Sequence, residues 1–125
     1  MKEVISTTDG PKAIGPYSQA IRANGFVFVS GQVSFDPVTN TLVLGDVGTQ
    51  TERVLQNLSG ILKAAGSGLD KVVRATVFLK NMNDFAAMNE AYAKHFPSQP
   101  PSRSTVEVAR LPKDVLVEID VIALA

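Results

Sequence analysis

Arg103 stands in the run Pro100-Pro101-Ser102-Arg103-Ser104-Thr105-Val106, where two prolines stiffen the approach to the mouth of a strand. A guanidinium is the natural partner of a carboxylate, because its fork makes two parallel charge-assisted hydrogen bonds. The same residue also suits a solvated arginine paired with Glu107 or Asp120. Glu118 is embedded in an apolar, β-branched stretch, where carboxylates are depleted. Burial raises a carboxylate pKa and would suit a base or a water-positioning group; an ion pair with Arg103 or Arg110 is the structural alternative. Tyr17, after Gly15-Pro16, either places a phenol over a small ligand or is a half-buried core residue. Ser30-Gly31 closes a short aromatic run, so its main-chain N–H groups either bind an anion or make an ordinary turn. Asn89 falls off the apolar stripe of a helix, where a solvated amide is the default. His95 reads as a surface residue in the last turn of that helix, complementing its dipole.

Composition narrows the chemistry around these groups. The chain has 125 residues, 45% of them hydrophobic and 19% charged, with 12 basic and 12 acidic side chains and zero net charge. That is one globular domain, residues 1–125, without the basic excess of a dedicated nucleic-acid binder. There is no cysteine, which rules out disulfides, thiolate nucleophiles and cysteine-ligated metals. A single histidine makes a His-rich metal site or a Ser-His-Asp triad unsuited to one chain. The first residues, Met1-Lys2-Glu3-Val4-Ile5, form neither an apolar signal core nor an Arg-rich presequence. No stretch approaches membrane-spanning length, so the cytoplasm is the expected address.

The elements that must position these side chains follow from periodicity and punctuation. Residues 17–23 and 26–30 read as two strands joined by the Asn24-Gly25 turn, and residues 36–48 are turn-rich. A helix is expected over 49–65, with Thr49 and Glu52 as a capping box and Gly66 as the stop. Its stripe is Val54, Leu55, Leu58, Ile61, Leu62 and Ala65. A strand follows at 72–79. A second helix is expected at 84–96, capped by Asn81 or Asn83, with Phe85, Met88, Tyr92 and Phe96 as its stripe and Pro97 as its stop. Two strands, 104–109 and 115–124, close the chain through Leu111-Pro112-Lys113-Asp114. Gly66-Ser67-Gly68 lacks the strand-before, helix-after context of a phosphate loop.

This is an α/β plan with one mixed sheet and only two helices, which can cover one sheet face and not both. In the last strand, Val115, Val117, Ile119 and Val121 share the face suited to the helices. Leu116, Glu118, Asp120, Ile122 and Leu124 share the other. Leucine and isoleucine beside two carboxylates are too apolar for free solvent and too acidic for a core. An oligomer interface that contains a site is expected there.

Several of these fragments together resemble one family. The anchors are Gly15-Pro16-Tyr17-Ser18-Gln19-Ala20, Ser30-Gly31-Gln32, and the run from Pro101 to Asp114 followed by Val117-Glu118-Ile119. Over essentially its whole length the chain resembles the RidA (YjgF-like) reactive-intermediate deaminases. The resemblance implies a chorismate-mutase-like α+β subunit, with one mixed six-stranded sheet and two helices packed on one face. It also implies a homotrimer with its open sheet faces inward and its sites in clefts between subunits. Arg103 would then hold the substrate carboxylate and Glu118 would orient and activate water, with Tyr17 counted beside them as catalytic. Tyr17, Ser30, Gly31, Asn89 and Thr105 would line the cleft. Thr105 departs from the cysteine common in RidA itself, so a thiol-based switch cannot operate here.

The implied activity is hydrolysis of 2-imino acids, such as 2-iminopropanoate and 2-iminobutanoate, to 2-oxo acids and ammonia, with no cofactor or metal. An iminium carbon is already electrophilic, so positioning substrate and water can suffice. A non-catalytic trimer that senses 2-oxo acids is the alternative. A ribonuclease or translation inhibitor is a weaker one, set against the neutral charge.

Overall fold

The computed structural model describes residues 1–125. Its main sheet has six strands in the order β1 (Glu3–Ile5), β2 (Ala20–Ala23), β3 (Phe26–Gln32), β8 (Val117–Leu124), β6 (Val72–Leu79) and β7 (Ser102–Glu107). All neighbours are antiparallel except β6 and β7, which run parallel and leave β7 as one edge. A small hairpin of β4 (Phe35–Asp36) and β5 (Thr41–Leu42) occupies the turn-rich stretch. The two helices, α1 (Val47–Ala64) and α2 (Phe85–His95), cover one face of the main sheet, as expected.

Residue types explain most of these elements. Asn24 and Gly25 both adopt positive φ, 53° and 83°, the pair that a tight hairpin twisted like its strands requires. The stripe of α1 is buried as read, with Val54, Leu55, Leu58, Ile61 and Leu62 all 0% exposed. It packs against Val27, Val117, Ile119 and Val121 of the central strands. Gly66 ends α1 at φ 79°, its N–H donating to Lys63 O while Ser67 N–H donates to Leu62 O.

Several expectations need correction. Helix α1 starts earlier than 49, because Asp46 and not Thr49 is its cap: Asp46 Oδ1 accepts from Thr49 N–H at 2.9 Å. Asn81 caps a 3-10 turn, Met82–Asp84, and α2 itself begins at Phe85 without a side-chain cap. Strand β2 begins at Ala20, which leaves Tyr17 in the preceding loop, and β3 runs on to Gln32. Strand β7 starts and stops two residues before the expected 104–109, and β8 starts at Val117. Phe85 is 40% exposed and lies outside the core, whereas Met88, Tyr92 and Phe96 are buried. His95 is not a free surface group. Its Nε2 lies 2.8 Å from Glu52 Oε1 and ties the end of α2 to α1, holding the Glu52 carboxyl below its ordinary pKa.

The uncovered face of the sheet is the mixed one read from β8, except that Leu116 precedes the strand and packs against the core. Phe28 and Leu124 are 43% and 47% exposed there, beside half-buried Glu118, Asp120 and Ile122. Phe26 and Phe28 extend it, their rings 6.3 Å apart.

Candidate functional site

Arg103 and Glu118 occupy strands on either side of β6, and alternation along the strands sends them to opposite faces. Arg103 pairs with Ala75 and Thr105 with Val77, both fully buried under the helices, so the Arg103 and Thr105 side chains face α2. Glu118 stands between Val117 and Ile119, which are also fully buried, and therefore points to the open face. The register places the two backbone positions roughly 14 Å apart across the sheet. Neither alternative ion pair forms: the chain's salt bridges are Arg22–Glu3, His95–Glu52 and Arg110–Asp114. Glu107 is engaged elsewhere and accepts from Met82 N–H at 2.8 Å.

On the helix side, Arg103 lines a cleft of about 380 Å³ with Asn89, Tyr92, Phe96, Pro100 and Pro101. Its guanidinium carbon lies 4.8 Å from the centroid of the Tyr92 ring and 5.6 Å from that of Phe85. Asn89 and Tyr92 are neighbours on α2, three residues apart on one face. Three polar atoms around Arg103 are buried without a hydrogen-bond partner: Asn89 Oδ1, Tyr92 Oη and Thr105 Oγ1. Most buried polar side-chain atoms in proteins have partners, so three such atoms gathered around one arginine are a departure from the usual pattern. Burial pushes the Tyr92 phenol above its ordinary pKa, while the charge of Arg103 and the approach of its side chain to the phenol oxygen pull it back.

On the open side, Glu118 lines a cavity of about 410 Å³ with Tyr17, Ser30, Gly31, Gln32, Lys12 and Lys113 among its walls. The β3–β8 register shifts between Val29 and Gln32, a bulge that takes Ser30 and Gly31 out of the regular pairing with β8. Gly31 leaves room for the Glu118 carboxylate, since a Cβ there would overlap Glu118 Oε2 and push that side chain aside. Burial raises the Glu118 pKa above its ordinary 4.5, and the negative charge of Asp120 adds to the effect. Asp120 is itself raised by burial, while a hydrogen bond from Thr76 and the Arg74 charge pull it back.

Ser30 differs from its sequence reading. Its N–H donates to Gln19 O at 3.0 Å and its hydroxyl to Ser18 O at 2.6 Å, so both donors hold the preceding loop and are not free for an anion. Tyr17 is 49% exposed, its hydroxyl accepting from Ile14 N–H at 3.4 Å, and its ring forms the outer wall. The loop is organised by a residue that sequence reasoning passed over. Gln19 accepts from Thr7 N–H at 2.7 Å and donates to the carbonyls of Thr7, Gly10 and Pro11. Tyr92 was also missed as a site residue, because its place on an apolar stripe reads as core. Its one signal was a phenol in a row that needed only hydrocarbon.

The seven sequence candidates thus fall into two groups. Tyr17, Ser30, Gly31 and Glu118 gather at one end of the open face, and Asn89, Arg103 and Thr105 on the helix side of the β7 edge. One chain does not bring the groups onto one small molecule. One group holds an unpaired cation on an aromatic floor, the other a carboxylate of raised pKa in a small cavity.

Comparison with known proteins places this arrangement. Residues 7–125 match the family model described as Endoribonuclease L-PSP. A RutC family protein of Pyrococcus horikoshii is 57% identical over 123 residues, covering 98% of both chains. The chloroplastic Reactive Intermediate Deaminase A of Arabidopsis thaliana is 49% identical, covering 98% of this chain and 65% of its own length. The crystal structure of Escherichia coli TdcF with bound serine superposes with a TM-score of 0.93 at 41% identity, covering 98% of each chain.

Proposed function

The chain belongs to the Endoribonuclease L-PSP family, which includes the RutC and RidA proteins, and from that premise we propose that it is a 2-imino-acid deaminase. It would hydrolyse 2-iminopropanoate and 2-iminobutanoate to 2-oxo acids and ammonia, as a cytoplasmic homotrimer with sites between subunits. One observation carries the reading: neither Arg103 nor Glu118 forms a salt bridge, and each faces a cleft, on opposite faces of one sheet. Two such half-sites are complementary across a rotationally closed interface, where the cleft of one subunit meets the cavity of the next. The apolar open face, with Phe28 and Leu124 exposed, supports such an interface. A relative named as a reactive intermediate deaminase and a relative with bound serine support a small amino-acid-derived substrate.

The steps follow from the groups. The Arg103 fork takes the substrate carboxylate and fixes the imine carbon at the subunit boundary. The substrate reacts as the iminium, C=NH2+: Glu118 of the adjoining subunit accepts a proton from water as the water oxygen adds to the carbon and the C=N pair moves to nitrogen, giving a neutral carbinolamine. Glu118 then returns that proton to the amino nitrogen. As the C–N bond breaks and ammonia leaves, Glu118 takes the hydroxyl proton so that C=O forms, and passes it on to solvent. A base with a raised pKa suits this exchange, because it takes a proton from water more readily than an ordinary carboxylate does. Main-chain groups at Gly31 and Thr105, with Tyr17 and Asn89, wall the far end of the substrate. Imines also hydrolyse in water unaided, so orientation and one proton shuttle are enough.

The test follows imine decay generated by a threonine dehydratase. Purified protein is expected to accelerate it, and Arg103→Ala to abolish the acceleration. Decay at the spontaneous rate with both proteins rejects the reading. Glu118→Gln separates it from a non-catalytic 2-oxo-acid sensor: a deaminase loses turnover while still binding pyruvate, and a sensor loses nothing. With 12 basic and 12 acidic side chains there is no net charge to draw in a polyanion, and the protein is expected to leave RNA intact.

A further inference from the structure

An arginine that waits for its ligand has a conformational problem. Its long side chain has rotamer entropy to lose on binding, and a carboxylate partner inside the protein would fix it only by consuming the donors the substrate needs. Arg103 is half-buried and has no such partner. What it has is a ring. Its guanidinium carbon sits 4.8 Å from the Tyr92 centroid, within the range of a cation–π contact, and Phe85 adds a second, more exposed ring at 5.6 Å. A ring face holds a guanidinium by its charge and flat surface while leaving N–H donors available.

Tyr92 is itself fixed. It is 6% exposed, packs on Phe96 with centroids 4.6 Å apart, and sits one turn before the point where His95 ties α2 to Glu52 of α1. We propose that Tyr92 is the positioning residue of the substrate anchor, its buried ring holding the Arg103 guanidinium in place so that the N–H fork is free for a carboxylate. The inference rests on the deaminase reading only for the identity of that carboxylate. It assigns the aromatic stripe of α2 a task beyond core packing, and it predicts that binding follows the electron density of the ring and not its bulk.

The experiment replaces Tyr92 with phenylalanine and then with mono-, di- and trifluorophenylalanine, a series that withdraws charge from the ring face at nearly constant size. For each protein the KM and kcat for 2-iminopropanoate, the Kd for pyruvate and the thermal midpoint are measured. Phenylalanine is expected to retain most of the binding. From there to the trifluoro ring, KM and Kd should rise stepwise by about 3- to 30-fold in total, with kcat and the thermal midpoint nearly level. Combining the trifluoro ring with Arg103→Ala should weaken pyruvate binding no further than Arg103→Ala alone, since the ring acts through the arginine.

A pyruvate Kd that stays level across the series overturns the inference, as does an undiminished fluorine effect in the Arg103→Ala background. Wild-type protein that binds pyruvate but does not hasten imine decay rejects the deaminase reading and leaves the stack standing. Absence of pyruvate binding by the wild type rejects both.

Discussion

Buried polar side chains in this protein fall into two populations, and the difference separates scaffold from site. Gln19, Gln50 and Asn57 are 4%, 3% and 0% exposed, and all are hydrogen-bonded. Gln50 accepts from Leu116 N–H at 2.9 Å and donates to Gly45 O, while Asn57 donates to Val33 O and Phe35 O and accepts from Arg53. They close the backbone of loops that strands cannot close. Around Arg103 the pattern inverts, with Asn89, Tyr92 and Thr105 each carrying a buried polar atom that meets nothing. A satisfied buried polar group stabilises one structure, whereas an unsatisfied one costs stability and is kept where a ligand or partner will meet it. Thr51 on α1 is also unpartnered, lines neither cleft, and nothing in the structure explains it.

The contrast can be broken by mutation, and the largest effects belong to the two charges. Glu118→Gln should lower kcat for imine hydrolysis by roughly 100-fold or more, as loss of a positioned base does. Its stability should move the other way. Burial raises the Glu118 pKa, so the folded protein holds this proton more tightly than the unfolded chain does. The resulting stabilisation is present at low pH and is lost as pH rises through the folded pKa. At neutral pH the glutamine protein should therefore melt higher than wild type, with the gap closing as the pH approaches 4.5 and below. The acid limb of the wild-type rate profile should lie above that value.

Asn57→Ala comes next, on the scaffold side. It leaves two buried carbonyls unmet and should cost about 2–4 kcal/mol of unfolding free energy, measured by denaturant titration, with KM unchanged. The smallest stability effect belongs to Asn89→Leu. Removing a buried acceptor that has no partner should leave unfolding free energy within about 1 kcal/mol of wild type while raising KM. If Asn57 and Asn89 behaved alike in both assays, the division into scaffold and site would be wrong.

Much of the frame was legible because it rests on local periodicity. The stripe of α1, the alternation of β8 and the Asn24-Gly25 turn each announce themselves within a few residues. Strand β1 did not, since three residues are too few to show alternation, and it exists only through pairing with β2. The cap of α1 went to Asp46 because the geometry of the preceding loop, not the spacing of Thr49 and Glu52, decides which oxygen reaches the first free N–H groups. Gln19, Gln50 and Asn57 could not be read as scaffold, because most of their partners are distant in sequence. His95 was read as solvated for the same reason: Glu52 is 43 residues away. Glu118 was legible as a carboxylate among valines, whereas Arg103 read equally well as a solvated arginine paired with Glu107 or Asp120 and was singled out by the motif around it. Their separation onto opposite faces was not legible, because it depends on the register of three strands.

That separation yields the most direct test of the account. Arg103→Ala and Glu118→Gln proteins, each inactive alone, are mixed in equal amounts, unfolded and reassembled, and imine hydrolysis is measured. Where one subunit keeps Arg103 and the next keeps Glu118, a complete site forms, so random closed trimers should recover about a quarter of wild-type activity. Hybrids as inactive as their parents would contradict a site shared between subunits.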